Sequence, residues 1–526
     1  MSSPGPHTLP AGWIWAELSA IADVRLGKML SPKAYEDGLL QLPYLRNENV
    51  RWFRVDMGDI KRMGFKPAEV DRYSVRPGDL LVCEGGEPGR CAVVPEHVGN
   101  LMFQKALHRV RPLAGVVSTE LLQYAFRHFT DTGTVIPRAS ETTIRHLPLE
   151  KIETLLVPIP PPAEQRRIVE KIEELFSKLD AGVEALERVR ANLKRYRAAV
   201  LKAAVEGRLT EAWRAQHPDV EPASELLERI LAERRRAWEE EQLAKFSEQG
   251  KTPPKNWRSR YKEPEPPDST NLPDLPQGWV TLGLGDCATL ITKGGTPTSY
   301  GHQYTESGIP FVRVEHLSDG RINGESIAQF IDAAADHTLK RSRLRPGDLL
   351  FSIAGTIGRT ALVSAEDVPA NTNQAVAIIR GCDPVLNPRF LRVFLSSSSV
   401  QHQALGNARG GAMNNISLGD VRSVLVNIPP LVEQAEIVSE VERRLSVLEE
   451  IGRETDAGLK RAARLRQAIL KRAFEGRLVP QDPNDEPASV LLERITRERG
   501  AAKPRKQRTR SRRQSRAAGE QVAQDA

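Results

Sequence analysis

The 526-residue chain has only four cysteines, Cys83, Cys91, Cys287 and Cys382, scattered and without a Cys-x-x-Cys pair. That pattern excludes a disulfide framework and gives no zinc-ligand spacing. No apolar run approaches the ~20 residues that span a bilayer. The opening MSSPGPHTLP has neither a basic n-region nor an apolar h-region, so no signal peptide is expected and the expected compartment is the cytoplasm. Acidic residues are missing from one stretch: Lys503 to Arg516, KPRKQRTRSRRQSR, holds eight basic residues and none of opposite sign. The formal net charge is +7, so the rest of the chain sits near neutrality. Residues 501–526 are expected to be a disordered basic tail that adds sequence-independent attraction to phosphates.

Signatures of catalysis are also missing. Asn427 to Leu431, NIPPL, differs from an amino-methyltransferase Asn-Pro-Pro-aromatic motif by an inserted Ile428 and by Leu431 in place of the aromatic. Gly355 to Thr360, GTIGRT, is too short for a phosphate loop and lacks its lysine. Asp79 and Glu84 could suggest a nuclease pair, but no lysine follows at a useful distance. Asp79 is better read as part of a turn into a strand.

What the chain does have is repetition. EPASELLERI (Glu221 to Ile230) returns as EPASVLLERI (Glu486 to Ile495), LPAGW (Leu9 to Trp13) as LPQGW (Leu275 to Trp279), and RPGDLL (Arg76 to Leu81) unchanged at Arg345 to Leu350. IPPPAEQRRIV (Ile159 to Val169) matches IPPLVEQAEIV (Ile428 to Val438), and LKAAVEGRL (Leu201 to Leu209) matches LKRAFEGRL (Leu470 to Leu478). A spacing of 265–269 residues is far too long for a solenoid. It is a duplicated unit, with a globular segment followed by a helical one.

The globular segments carry short β-like runs broken by Gly and Pro, and each is expected to hold one short helix, TELLQYAFRHF and PRFLRVFLSS. After each Pro-Pro the period changes. Ile168, Ile172, Leu175, Leu179, Gly182, Leu186, Val189, Leu193, Tyr196 and Val200 alternate in steps of four and three, as a coiled-coil seam does. The second seam, Ile437, Val441, Arg444, Leu448, Ile451, Thr455, Gly458, Ala462, Leu465 and Ile469, has polar or small defects at Arg444, Thr455 and Gly458. The expected fold is α+β: two globular domains, each followed by a long helix, in a pseudo-twofold duplication whose two coiled-coil helices pair with each other. The expected segments are 1–158 (first globular domain), 159–250 (helical region), 251–274 (Pro-rich linker), 275–428 (second globular domain), 429–500 (helical region) and 501–526 (tail).

Polar loop residues at matched places are candidates for DNA contact. They are Arg46, Arg90, Lys105, Arg138, Thr143 and Arg145 in the first copy, and Arg313, Arg359, Gln374, Arg409 and Asn414 in the second. Such side chains can bond base edges or phosphates. A shared frame with differing polar loops is the pattern expected of two copies that read two different sequences.

Taken together, the twofold order, PPPAEQRRIVEKIEELFSKLD with PPLVEQAEIVSEVERRL, and LKAAVEGRL with LKRAFEGRL resemble the specificity subunits of type I restriction–modification systems. The resemblance covers nearly the whole chain. It implies a non-catalytic, sequence-specific DNA-binding subunit whose two target recognition domains, separated by two long antiparallel coiled-coil helices, each read half of a bipartite, asymmetric site in double-stranded DNA. It implies docking of two methylation subunits and of restriction subunits, with no membrane partner. It places S-adenosylmethionine, ATP and Mg on those partners, with no cofactor in this chain. A coiled-coil DNA scaffold without sequence specificity is the alternative, but it does not require two diverged loop-rich domains.

Overall fold

The computed structural model describes residues 8–30, 38–99, 101–135, 146–261, 263, 274–318, 320–381, 386–398, 400 and 415–502. The chain divides into two compact units that are not contiguous in sequence: Met1–Leu186 with Ala457–Ala526, and Glu187–Asp456.

The first unit is built on a four-stranded antiparallel sheet in the order Ala22–Leu26, Leu107–Pro112, Leu80–Cys83, Cys91–Val93. A three-stranded sheet, Lys61–Phe65, Leu40–Leu45, Met102–Phe103, has one antiparallel and one parallel pairing. The expected short helix is Thr119–Asp131, whose first turn is capped by Ser118 accepting from the Leu121 N–H at 3.1 Å. The second unit repeats the pattern. Leu290–Lys293, Val376–Arg380, Leu349–Ser352 and Thr360–Leu362 form a sheet in the same order. Its short helix, Pro388–Leu395, is capped by Asn387. Both units are therefore mixed α+β.

Two 44-residue helices, Pro162–Val205 and Leu431–Phe474, run through both units. At ~1.5 Å per residue each is about 66 Å long. In the first unit they pass antiparallel. Arg466 bonds Asp180 and lies over the Phe176 ring at 5.1 Å, and a Cβ on Gly458 would meet Leu186 Cδ1 at 3.0 Å. In the second unit Arg190 faces Asp456 at 3.7 Å and Arg197 faces Glu449 at 3.8 Å.

The buried stripes correct the seam read from the sequence. Every second position holds: Ile172, Leu179, Leu186, Leu193 and Val200 are buried or half-buried, as are Val441, Leu448, Thr455, Ala462 and Ile469. Of the alternating positions, Ile168 and Ile437 are buried and Leu175, Arg444 and Gly458 half-buried as expected, but the stripe also takes in the next residue at Phe176, Val183 and Arg197, and at Leu445, Gly452, Leu459 and Arg466. Val189, Tyr196, Ile451 and Leu465, assigned to the seam from their chemistry, are instead 38–50% exposed. Steps of three and four can begin on either member of a neighbouring pair, and apolar residues stand at both. The Gly458 defect is accounted for, because Leu186 occupies the space its missing side chain leaves.

Residues 251–261, the start of the expected linker, fold back on the helix Ala223–Glu248: Trp257 is buried and stacks on Trp238 at 5.8 Å between ring centres.

The repeated motifs meet at one place in each unit, and they come from different copies. In the first unit the Trp13 indole N–H donates to Glu164 at 2.9 Å. Gln165 donates to the Val116 and Pro160 carbonyls, and its Oε1 accepts from the Ser118 N–H. The partners to this node come from the far end of the chain. The Ala488 N–H donates to the Gly12 carbonyl at 2.9 Å, and Gly476, at φ 66°, lies so close to Pro10 that a Cβ would approach Cγ to 2.3 Å. In the second unit Trp279 donates to Glu433 at 2.8 Å and Gln434 spans Pro429 and Asn387. There the Ala223 N–H donates to Gly278 at 2.9 Å, and Gly207 lies against Pro276. Each LPxGW and Glu-Gln pair is thus closed by the EGRL and EPAS segments of the other copy. Leu491 and Ile230 are buried behind them. This internal contact is a physical reason for writing those segments twice.

Candidate nucleic-acid interface

The loops that carry the candidate residues spring from matched frames. In RPGDLL the aspartate is buried and its carboxylate serves the sheet. Asp79 accepts from the Arg76 N–H at 2.7 Å and takes Arg111 through two bonds of 2.6 and 2.7 Å. Asp348 does the same with the Arg345 N–H and with Arg380 through two bonds of 2.6 Å. Bidentate pairs of this kind fix geometry as well as charge. They raise the Arg111 and Arg380 pKa further, the carboxylate hydrogen bonds being the main cause. Asp79 is accordingly a structural group.

Arg46 and Arg313 each precede a one-turn 3₁₀ helix, Asn47–Asn49 and Val314–His316. The Arg46 N–H is capped by Asn49 Oδ1 at 3.1 Å, and the Arg313 N–H by His316 Nδ1 at 3.0 Å. The Arg46 guanidinium pairs with Glu48 and Asp59, and that of Arg313 bonds Gln329 and lies over the Tyr304 ring at 5.2 Å. Arg90 donates to the Asn47 carbonyl at 3.0 Å, and Arg359 to Val314 at 3.3 Å. These four arginines come together in two pairs, one per unit, and each pair braces the same turn. Lys105 is half-buried, with its N–H on the Lys28 carbonyl. Gln374 is exposed and accepts from the Thr296 hydroxyl at 2.5 Å. Arg138, Thr143, Arg145, Arg409 and Asn414 lie outside the described residues.

A cavity of about 320 Å³ opens beside Arg313, lined also by Glu315, His316, Ser326, Ala328 and Gln329. Burial pushes the His316 pKa below its ordinary value, Glu315 opposing and Arg313 assisting. The three described cysteines are buried, and burial lifts the Cys83 thiol to about 11 and Cys91 well above its usual range. Among the described residues no group of three or more His, Cys, Asp or Glu could hold a metal ion, and no helix is long and apolar enough to cross a membrane.

Sequence reasoning passed over the exposed side chains at the loop tips. Tyr300 is 60% exposed, and Met29 61%. The signal available was a bulky residue within or just after a Gly-rich turn, GGTPTSY and GKML.

Comparison with known proteins agrees with this arrangement. The pattern of the type I restriction modification DNA specificity domain matches residues 276–455, most of the second unit. The chain is 29% identical over 375 residues to the type I restriction enzyme EcoBI specificity subunit of Escherichia coli, covering 69% of this chain and 68% of that one. It is 25% identical over 521 residues to the EcoKI specificity subunit of Escherichia coli strain K12, covering 94% and 97%. A chain solved in a study of complex assembly and conformational transition of the type I R-M system shares the fold, with a TM-score of 0.59 at 20% identity, over 90% of this chain and all of that one. Over nearly its whole length the chain is similar to specificity subunits of type I restriction enzymes, and recognition of DNA sequence is the role that this similarity supports.

Proposed function

We propose that the two units each read one half of a bipartite, asymmetric site in double-stranded DNA. The long helices form an internal coiled-coil ruler, and the duplicated frame holds two methylation subunits, with restriction subunits joining them, in the cytoplasm. S-adenosylmethionine, ATP and Mg are then the partners' cofactors. The observation that carries this reading is the recurrence of one frame in both units: the same sheet order, the same Asp–Arg pair and the same Trp–Glu contact, with different residues at the loop tips. A scaffold that merely gripped phosphates would gain nothing from two unlike sets of loops.

Within this reading the eleven candidate residues divide by their surroundings. Arg46, Arg90, Arg313 and Arg359 orient the turns. Lys105, Arg138, Thr143, Arg145, Gln374, Arg409 and Asn414 contact DNA. The chain co-expressed with its methylation subunit in a methylation-free host is expected to mark adenine at one bipartite motif. Exchange of residues 9–157 for the segment of a relative should alter one half of it only. Equal competition by unrelated DNA in a binding assay would support the scaffold instead.

A further inference from the structure

In the second unit a turn runs from Gly294 to Gly301 and ends on an exposed aromatic ring. The turn is tightly specified. A Cβ on Gly294 would stand 1.9 Å from the Thr372 carbonyl oxygen, so only glycine fits. Pro297 is buried and opens the one-turn 3₁₀ helix Pro297–Tyr300. Gly301 ends it in the left-handed region at φ 80°, and the His302 N–H closes back on the Pro297 carbonyl at 3.1 Å. His302 Nε2 is 2.9 Å from the Thr338 hydroxyl, which ties the turn to the helix Ala333–Thr338. Tyr300 then projects with 60% of its surface exposed. One ring edge rests over Gly295, where a Cβ would lie 3.3 Å from Cε2.

The surroundings suit a nucleic acid. The Thr296 hydroxyl holds Gln374 Oε1, so that the exposed amide's nitrogen is left to donate outward. Lys293, Lys340 and Arg341 are exposed nearby, and none of the three pairs with a carboxylate among the described residues. The first unit has the same root with a different tip. A Cβ on Gly27 would stand 2.1 Å from the Gln104 carbonyl oxygen, and beyond it Met29 and Leu30 are 61% and 42% exposed.

We propose that the Gly294–Gly301 turn is a base-reading element of the second unit. Tyr300 packs its ring against base edges in the major groove, Gln374 donates to a base acceptor, and Lys340 and Arg341 hold the flanking phosphates. Ring contact with a thymine methyl group and amide bonds to base edges are the chemistry this groove offers. A rigid root keeps the tip from losing conformational freedom on binding. The matched root with a Met-Leu tip gives the first unit a different reader on the same frame. This inference rests on the DNA-recognition reading above and names the residues that set one half-site.

The test uses the full chain with its methylation subunit, reading the methylated motif by sequencing and binding by competition between duplexes. Tyr300→Ala is expected to cut discrimination at one base pair of one half-site by ~5- to 150-fold, the range of a single mismatch, and to leave the other half-site unchanged. Tyr300→Phe should retain the motif, because the ring makes the contact. Lys340→Ala with Arg341→Ala should weaken all sequences alike and lower the salt slope by about one per residue. A motif unchanged in Tyr300→Ala overturns the inference. So does a loss of both half-sites together with binding to unrelated DNA, which would mean that the ring supports the fold. A wild-type complex that marks no bipartite motif would overturn the recognition reading itself.

Discussion

The two Trp–Glu contacts share a motif but not their neighbours, and that difference can be measured. Glu433 is fully buried and accepts from the Trp279 indole at 2.8 Å, from the Thr210 hydroxyl at 2.7 Å, and from Arg214. Arg214 also donates to the Gly207 carbonyl at 2.7 Å and lies over the Trp279 ring at 5.8 Å. Glu164, its counterpart, accepts from Trp13 and has no arginine of its own, only the Gln481 amide beside it. The nearest arginine, Arg167, is bound to Asp485. Burial accordingly pushes the Glu164 pKa upward against the Trp13 bond. Glu433→Gln turns an amide NH₂ toward donors and strands the Arg214 charge. Removing one member of a buried pair costs ~3–5 kcal/mol, and the partial exposure of Arg214, 20% of its side chain, places this case near about 3 kcal/mol. Glu164→Gln keeps the Trp13 bond and loses no ion pair, so it should cost about 1 kcal/mol or less. For a unit of this size the melting temperature should fall by ~6–12 °C for Glu433→Gln and by no more than ~4 °C for Glu164→Gln. Calorimetry gives the shifts, and hydrogen exchange across residues 207–223 and 429–441 locates the first. Equal losses, or a larger loss for Glu164→Gln, would refute the assignment of Arg214 as the partner that matters.

Other consequences follow from particular contacts. Gly182 has nothing within 4 Å of an added Cβ, whereas one on Gly458 meets Leu186. Gly182→Ala should therefore stabilise the helix by ~0.5–1 kcal/mol in urea unfolding, and Gly458→Ala by less. Since the folded-state pKa of His316 is lowered, the unfolded chain binds more protons below its ordinary value of ~6.5, and stability falls as the pH drops through that value. His316→Asn, which supplies the acceptor that Asn49 supplies to Arg46, should flatten this loss in melts between pH 7 and 5. The facing pairs Leu186 with Gly458 and Arg190 with Asp456 locate where the two helices match. One heptad inserted after both Arg188 and Ala457 should lengthen the ruler by ~10 Å and the preferred gap between half-sites by about three base pairs, as read from a library of spacer lengths.

Much of the architecture was legible because repetition exposes the frame. LPxGW, Pro-Pro-x-x-Glu-Gln, RPGDLL and EGRL could be found by alignment of the chain with itself. Their contacts could not, because the closing residues lie about 30 to 475 positions away and often come from the other copy. The Glu-Gln pair reads as a helix start, which it is. Only the fold shows that Glu164 takes an indole and Gln165 spans the Val116 and Pro160 carbonyls. The seam was half legible, since a four-three rhythm fixes the period but not which of two neighbouring apolar residues turns inward. Arg90 and Arg359 drew notice because they match between copies. Retention at matched positions also marks a brace, and both arginines hold the carbonyl of a one-turn helix. Tyr300 went unnoticed in a search for charged and amide side chains.

The crosswise closure bears on how the chain is made. In the second unit Ala223 meets Gly278 about 55 residues later, and the node is complete once Glu433 and Gln434 have been made. The first unit must hold Gly12 open until Ala488 has been synthesised, about 475 residues later. At ~5–20 residues per second that is roughly 25–95 s on the ribosome with Pro10 and Trp13 uncovered. The domain made first is therefore the one finished last, and a ribosome that stops between Asp456 and Gly476 releases a protein whose second unit is whole and whose first unit lacks its seal.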